Sequence, residues 1–298
     1  MPDEFRFLAS DARFWGLTDD VPPVERVEFR TDAGAAISAL RFGSADPEAI
    51  FLHGAGLNAH TFDPTILALG RPALSLDLPG HGHSDWRPGA DYLPRALAPD
   101  VGAAISALAP APQVLVGQSL GALTAAAVAG ARPELVSALV LVDITPGVRP
   151  ATDAAAVRDF LAGPRDFADV DEVVDRAIAF GIGTDRALLA RGVELNTRTR
   201  PDGRIEFRHH LAHLDVPLTL DVPDVAPIWD DLEAFAGPIL LVRGTGGIVG
   251  DELLDEFRRR LPAAEVLTLE AGHNVQEMQP LALADAVRHT ADRTPPAA

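Results

Sequence analysis

Neither cysteine nor lysine occurs in this chain of 298 residues. The absence of cysteine excludes disulfide bonds, thiolate metal sites and a cysteine nucleophile. The absence of lysine means that all 25 basic residues are arginine, which excludes Schiff-base catalysis, a lysine general base and a P-loop lysine. Chemistry that depends on a thiol or a primary amine side chain is therefore not open to this protein.

Long apolar runs and an excess of positive charge are also missing. No stretch reaches the roughly 18 uninterrupted apolar residues of a membrane-spanning helix, and the start of the chain, MPDEFRFLAS, is too charged for a signal peptide. The formal net charge of −18 argues against nucleic acid and against an anionic membrane surface as partners. We therefore expect a cytoplasmic protein that acts on a small molecule. The sequence makes no prediction of its oligomeric state.

The chain does contain a regular alternation of short apolar runs with helical patterns. Most runs are continuously apolar, as in strands buried on both faces of a sheet, and they lie at 24–30, 36–42, 49–53, 73–77, 113–117, 138–143, 239–243 and 264–269. Apolar residues recur at helical spacing at 95–108, 119–131 and 251–261. This alternation predicts an α/β fold with a largely parallel sheet covered on both faces. The first two runs, separated only by a turn, are expected to form an antiparallel hairpin.

The alternation stops between residues 147 and 236. This region has helical patterns at 152–161, 171–180 and 184–197, and then a small hairpin at 199–208 around the turn sequence PDG. We interpret the region as a mainly helical insertion, or cap. The predicted division is therefore a core of residues 1–146 and 237–298, with a cap of residues 147–236 between two of its strands.

The strongest chemical motif is GQSLG, which follows a buried strand and opens an alanine-rich helix. Its glycines allow a backbone turn so tight that the hydroxyl of Ser119 is lifted above the sheet as a nucleophile. The helix begins beside that oxygen, so its N-terminus is expected to place the Leu120 N–H next to a developing oxyanion. A serine that only caps a helix is not favoured in this context.

Two glycine-rich segments follow other strands. In HGAG, small residues let the loop approach the serine, so the Ala55 N–H is the expected second oxyanion donor, while His53 braces the loop through a hydrogen bond. In DLPGHGHS, we interpret Asp77, His81 and Ser84 as structural side chains that hold a turn.

A histidine follows the last predicted strand. His273 lies in AGH, in a short loop before the final helix, from which it can reach over the sheet. In that position it can take the proton from Ser119 and return it to the leaving group. Its place in the chain after the serine turn distinguishes it from an ordinary surface histidine.

HGAG, DLPGHGHS, GQSLG, LVDITPG and AGH occur in this order, and with them the chain resembles an α/β-hydrolase of the capped bacterial esterase or C–C hydrolase type. The resemblance covers roughly residues 24–289. It implies a mostly parallel eight-stranded sheet flanked by helices, with the cap over the active site. It is far less specific for the substrate, because this fold carries many chemistries.

We therefore expect a serine hydrolase that cleaves an ester, thioester or lactone through an acyl-enzyme, without a metal or an organic cofactor. In this hypothesis Ser119 attacks the carbonyl, His273 transfers the proton, and the N–H groups of Ala55 and Leu120 bind the oxyanion. One alternative is hydrolysis of a carbon–carbon bond in a dienoic or diketone-like compound by the same residues. An alternative from another class is a ligand-binding protein that has lost turnover.

The triad acid is the open question. In this fold the loop after the strand at 239–243 normally carries the catalytic carboxylate, but here its sequence is GTGG, which is the one feature in favour of the non-catalytic alternative. Asp143, in LVDITPG, ends the next strand after the serine turn and is expected to emerge beside it, as in some relatives of this fold. Asp251 and Glu277 are the other candidates, although both also fit the start of a helix. We expect the acid to be Asp143, with a purely structural turn aspartate as the alternative.

The predicted cap also contains a basic segment in an otherwise acidic protein. The interpretation that we favour is a solvated hairpin whose charges point outward. In the alternative, Arg208 or one of three histidines points into the pocket and binds a carboxylate or enolate of the substrate. The segment comprises Arg198, Arg200, Arg204, Arg208, His209, His210 and His213.

Overall fold

The structure is a computed structural model that describes residues 4–18, 20–109, 112–149, 152–153, 155–215 and 225–293. Its strands β1 to β11 are Val24–Arg30, Ala36–Phe42, Ala49–Leu52, Ala73–Leu76, Gln113–Gln118, Val136–Val142, Asp166–Phe167, Thr197–Thr199, Ile205–Phe207, Ile239–Gly244 and Glu265–Leu269. Its helices α1 to α11 are Leu8–Phe14, Asp63–Leu69, Pro94–Leu108, Leu120–Ala131, Ala155–Leu161, Val170–Ala179, Arg186–Asn196, Ile228–Ala234, Asp251–Arg260, Val275–Met278 and Pro280–Asp292.

Eight strands form one sheet in the order β1-β2-β4-β3-β5-β6-β10-β11. The first two strands form the predicted antiparallel hairpin, β2 also runs antiparallel to β4, and the remaining neighbours are parallel. The predicted fold class is therefore confirmed. Each predicted apolar run is a strand of this sheet, and the largest difference is that β6 begins at Val136, two residues before the predicted start.

Side chains alternate between the two faces of the sheet, so the core has two apolar layers. On one face the strands pack against α3, α4, α8 and α9 through residues such as Val101, Leu123 and Phe257. On the other face they pack against α1, α2, α10 and α11, as Ile66 and Leu283 illustrate. The sequence pattern did not predict α1, α2 or α8, each of which has seven residues and therefore a short helical periodicity.

This topology brings the motifs together at one edge of the sheet. The carboxyl ends of parallel strands meet at the same edge, where open α/β sheets place their sites. The loops after β3, β5, β6, β10 and β11 begin there, and they carry HGAG, GQSLG, DITPG, GTGG and AGH respectively. Residues that are distant in sequence are therefore neighbours in the fold.

The region predicted as the cap contains α5 to α8 and a separate antiparallel sheet in the order β7-β9-β8. The predicted hairpin is present as β8 and β9, and the short strand β7 adds to it. Phe167, Val174 and Phe207 belong to an apolar cluster of this region that is distinct from the two core layers. Helix α8 instead packs in a core layer through Trp229 and Leu232. Residues 216–224 of the predicted cap lie outside the described residues.

A buried cluster of charges fixes α7 to the rest of the molecule. Arg191 Nη2 lies 2.7 Å from Asp11 Oδ2 and 2.6 Å from Asp63 Oδ2. His60 joins the cluster through its Nδ1, which lies 2.9 Å from Asp63 Oδ2, and through its Nε2, 3.5 Å from Glu4. Burial alone lowers the pKa of His60, but the carboxylates of Asp63 and Glu4 outweigh burial and raise it from 6.5 to about 9. His60 is therefore a cation at neutral pH.

No helix among the described residues is long and apolar enough to cross a bilayer.

The raised pKa of His60 predicts a pH dependence of stability. Below about pH 6.5 the ring is protonated in both the folded and the unfolded chain, so its full contribution is present. The contribution is lost as the pH rises towards about 9, because only the folded state then retains the proton. We expect the melting temperature of the wild type to fall between pH 6.5 and 9 more steeply than that of His60→Asn, measured by calorimetry. His289→Asn, at an exposed site on α11, is the control and should keep the wild-type slope; equal slopes for the wild type and His60→Asn would contradict the prediction.

Candidate active site

Ser119 lies at a strained turn between β5 and α4. Its backbone angles are φ 52° and ψ −119°, a combination that costs free energy in a residue with a side chain. Side chains at Gly117 and Gly121 would overlap with the backbone of Ala122 and the carbonyl of Leu52. Both glycines are therefore required by close packing, and the turn presents Ser119 at the carboxyl edge of the sheet.

The HGAG loop lies against this serine. A side chain at Gly54 would overlap with Gln118 Oε1 and would lie 3.3 Å from Ser119 Cβ. Leu120 is the first residue of α4, where backbone N–H groups have no partner within the helix. Within the described part of the chain, the N–H groups of Ala55 and Leu120 have no backbone acceptor. Two donors are thus available on either side of the serine turn.

Two buried histidines brace the HGAG loop. His53 Nε2 accepts a hydrogen bond from the Leu78 N–H at 3.0 Å, and His81 Nε2 accepts one from the Gly56 N–H at 3.1 Å. Each ring also bonds a backbone carbonyl through Nδ1, at 2.8 and 3.1 Å. Burial lowers the pKa of both histidines, so both are neutral supports. The structural roles predicted for His53 and His81 are confirmed.

Asp77 and Ser84 hold the neighbouring turn, as predicted. Asp77 Oδ1 accepts from the Ala59 N–H at 2.8 Å, and its Oδ2 lies 2.7 Å from Arg26 Nη1. Burial alone raises the pKa of Asp77, but Arg26 outweighs it and the pKa is lowered. The hydroxyl of Ser84 donates to the Asp77 carbonyl at 2.6 Å and accepts from the Ser38 N–H at 2.9 Å. These side chains hold a turn and do not face the serine.

His273 and Asp143 are in direct contact. His273 Nδ1 lies 2.8 Å from Asp143 Oδ2, and a carboxylate can only accept, so Nδ1 carries the proton. In a neutral ring with this tautomer, Nε2 is the nitrogen that can accept a proton. Asp143 is fully buried and follows β6 with a positive φ of 52°, a conformation that its N–H bond to the Val242 carbonyl, 2.8 Å, helps to maintain.

Hydrogen bonds connect this pair to the serine turn. The Ser119 N–H donates to the Val142 carbonyl at 3.1 Å, directly before Asp143. The side chain of Gln118 donates to the His273 carbonyl at 3.3 Å. The structure therefore places the three residues that the sequence singled out, Ser119, Asp143 and His273, on adjoining loops at one edge of the sheet.

The GTGG loop, which lacks an acid, encloses the carboxylate of Asp143. Asp143 Oδ1 accepts from the Gly244 N–H at 3.0 Å, and Oδ2 accepts from the Ile248 N–H at 2.7 Å. A side chain at Gly247 would overlap with both carboxylate oxygens. The glycines that suggested a damaged site are thus the residues that make room for an acid from the neighbouring strand, and this removes the one sequence feature in favour of a non-catalytic protein.

The two other candidate acids have different partners. The side chain of Asp251 is 91 % exposed and lies 3.1 Å from Arg243 Nη1. Glu277 accepts hydrogen bonds from Thr61 Oγ1 and Asn274 Nδ2, both at 3.1 Å. Neither carboxylate bonds to His273.

Three of the four arginines of the basic segment pair with acids of the hairpin or of the adjoining strand β7. Arg198 lies 2.7 Å from Glu206, Arg200 lies 3.1 Å from Asp202, and Arg204 pairs with Asp166. These partly exposed pairs confirm the interpretation of a solvated hairpin for the three arginines. Arg208 is partly buried and donates from Nε to a backbone carbonyl of the same hairpin at 3.0 Å.

The three histidines of the segment differ in their surroundings. His210 stacks on Trp86, with ring centroids 4.3 Å apart, and His213 Nε2 bonds a backbone carbonyl at 2.9 Å. His209 is fully buried, and burial together with His213 lowers its pKa to about 3. Its Nδ1 accepts from a backbone N–H, so Nε2 carries the proton, and this Nε2 has no partner among the described residues. It lies close to Gly56 of the HGAG loop.

Asn196 is a polar residue beside the site that the sequence did not single out. It ends α7, is 8 % exposed, and its Nδ2 donates to the Gly56 carbonyl at 2.5 Å. An asparagine near a helix end has an ordinary local explanation, so only the tertiary contact reveals its position. Among the described residues, no group of three or more histidine, aspartate or glutamate side chains is arranged to hold a metal ion.

Comparisons with known proteins agree with this architecture. A model described as "Alpha/beta hydrolase family" matches residues 49–286. Esterase Rv0045c of Mycobacterium tuberculosis is 41 % identical over 97 % of this chain and 96 % of its own. A crystal structure of that esterase superimposes with a TM-score of 0.83 at 40 % identity, covering 97 % of this chain and 98 % of the other. The mouse sn-1-specific diacylglycerol lipase ABHD11 is 31 % identical over 81 % of this chain and 80 % of its own.

The enclosure of Asp143 predicts different effects for two adjacent glycines. Gly247→Ala forces a methyl group against the carboxylate, so we expect it to lower the free energy of unfolding by roughly 1–3 kcal/mol. Gly246→Ala is the matched control, because the nearest atom would be 3.6 Å away, an ordinary contact. Urea denaturation measures both. Equal stability of the two variants would contradict this account of the loop.

Proposed function

The chain belongs to the alpha/beta hydrolase family, and on this basis we propose that it is a serine hydrolase that cleaves an ester, thioester or lactone of a small organic molecule through an acyl-enzyme. A carboxylic ester is the substrate that we favour. The mycobacterial relative is an esterase by name, which supports this choice. The observation that carries the proposal is the 2.8 Å contact between His273 Nδ1 and Asp143, beside the strained serine turn.

In the first step, the hydroxyl of Ser119 attacks the carbonyl carbon of the substrate. His273 Nε2 accepts the hydroxyl proton, and the resulting imidazolium is stabilised by Asp143 through the hydrogen bond at Nδ1. The carboxylate also holds the ring in the tautomer that leaves Nε2 free. Because Asp143 is fully buried and held by two backbone N–H groups, it needs no reorganisation when the charge forms on the histidine.

The negative charge that develops on the carbonyl oxygen must be stabilised by hydrogen-bond donors. The Leu120 N–H at the start of α4 and the Ala55 N–H of the HGAG loop are the proposed pair. Two observations support this choice: the HGAG loop packs against Ser119 at Gly54, and neither N–H group has a backbone acceptor within the described ranges. The N-terminus of α4 adds a favourable partial positive charge.

The attack of Ser119 gives a tetrahedral intermediate, and its collapse forms the acyl-enzyme. The carbon–oxygen bond to the leaving group breaks, and the imidazolium of His273 returns the proton to that group, which departs as an alcohol. Water then attacks the acyl-enzyme with the same general base, and the acid is released from Ser119.

Covalent labelling tests the nucleophile. A fluorophosphonate should modify the folded protein once, and mass spectrometry should place the adduct on Ser119, because the proposed mechanism activates this hydroxyl through His273. Ser119→Ala should abolish both the labelling and the turnover of a short p-nitrophenyl ester, with unchanged melting temperature as the control for folding. An unmodified Ser119 in folded protein would rule the mechanism out.

Paired substitutions test the acid. We expect Asp143→Asn to lower kcat for the same ester by about a thousandfold or more, because the amide no longer stabilises the imidazolium or its tautomer. Asp251→Asn, at an exposed acid of the loop after β10, should retain nearly full turnover. Circular dichroism verifies that both variants are folded. Near wild-type turnover of Asp143→Asn would contradict its proposed role.

A further inference from the structure

The HGAG loop is held in part by a residue from the region predicted as the cap. Asn196, at the end of α7, donates from Nδ2 to the Gly56 carbonyl at 2.5 Å. Its own side-chain oxygen accepts from Asn58 Nδ2 at 3.3 Å. The two asparagines are 6 % and 8 % exposed, so water competes little for these bonds. One amide side chain from a distant part of the sequence thus bonds to both ends of the segment from Gly56 to Asn58.

Helix α7 holds Asn196 in a fixed position. Five residues before Asn196, the buried guanidinium of Arg191 pairs with Asp11 of α1 and Asp63 of α2. Breaking such a buried pair leaves an uncompensated charge, which is strongly unfavourable. The helix is therefore fixed to the core at neutral pH, and Asn196 is held in place whether or not a substrate is present.

The bond from Asn196 completes the support of Gly56. On the core side, the Gly56 N–H donates to His81 at 3.1 Å. On the other side, a side chain at Gly56 would overlap with Leu161 of α5 and would lie 3.6 Å from His209 Nε2. The carbonyl is the one polar group of this residue that the core histidines leave unbound, and Asn196 is its partner. The residue directly before Gly56 is Ala55, whose N–H points to the serine side in the proposed mechanism.

We propose that Asn196 is a positioning residue of the oxyanion hole, which sets the orientation of the Ala55 N–H from outside the core. This inference rests on the proposed function, since it assigns Asn196 to the loop that stabilises the oxyanion. The physical reason is preorganisation: a donor that is already oriented stabilises the transition state without a cost of rearrangement. Without the bond at Gly56, the loop gains freedom and the Ala55 N–H spends less time in the productive geometry.

The role is tested with two substitutions at Asn196 and one beside it. Asn196→Ala removes both side-chain bonds. Asn196→Asp keeps the shape and the acceptor for Asn58 but places a carboxylate oxygen against the Gly56 carbonyl. Thr197→Val is the matched control, because the buried Thr197 hydroxyl bonds the Val193 carbonyl within the same region at 2.8 Å and does not contact the HGAG loop.

The measurements are kcat, KM and their pH dependence with a short p-nitrophenyl ester, together with the melting temperature of each full-length variant. We expect both Asn196 variants to lower kcat by about 10- to 100-fold, since a donor that is displaced costs somewhat less than a donor that is removed. KM should stay within about threefold, because the oxyanion forms only after binding. The apparent pKa of the acid limb should not change, since His273 and Asp143 are untouched.

The control separates catalysis from stability. Thr197→Val should keep wild-type kcat even where its melting temperature falls as far as that of Asn196→Ala. The inference is overturned if Asn196→Asp restores wild-type kcat, which would mean that only shape matters, or if Thr197→Val loses kcat in the same measure. Failure of the proposed function gives a different result: Ser119→Ala would then retain turnover. Loss of turnover in Ser119→Ala, with wild-type kcat in both Asn196 variants, overturns this inference alone.

Discussion

The hydrogen bond from His273 to Asp143 is the contact on which the geometry of the site depends. It requires a buried carboxylate at the carboxyl end of β6, and the neighbouring loop after β10 has a sequence that makes room for it. The loop after β10 consists largely of glycine, because a side chain at Gly247 would occupy the same space as the carboxylate. The backbone of that loop supplies two of the donors that orient it. Asp143 and the glycine-rich loop after β10 therefore form one structural unit.

Histidine has two distinct uses at this edge of the sheet. His53 and His81 are fully buried, their pKa values are lowered by burial, and each accepts from one backbone N–H. They act as neutral supports for the loop beside the serine. His273 is partly exposed and bonds a carboxylate, an environment that suits the general base of the proposed mechanism.

The arginines of the hairpin in the region predicted as the cap are paired within that region. The arginines of the hairpin pair with acids of the same hairpin and of β7, and such exposed pairs contribute little to stability. The buried pair of Arg191 with Asp11 and Asp63 is different, because it joins α7 to the core. Through α7 it also places Asn196 against Gly56. Of these contacts between the two regions, the one from Asn196 reaches the loop next to Ser119.

The sequence by itself determined the alternation of strands and helices, the identity of the sheet, and the serine and histidine loops. Those features depend on local periodicity and on short motifs, and both are properties of residues that are close together in the sequence. It also pointed to Asp143, since the end of the strand beside the serine's strand is a predictable position. Only the tertiary structure decided which partner each side chain meets. The enclosure of Asp143 by the GTGG loop, the charge cluster at Arg191 and the contact of Asn196 with Gly56 all join residues more than 100 positions apart. Such contacts have no local signal, because their energy depends on burial and on distances that arise only when the chain is folded.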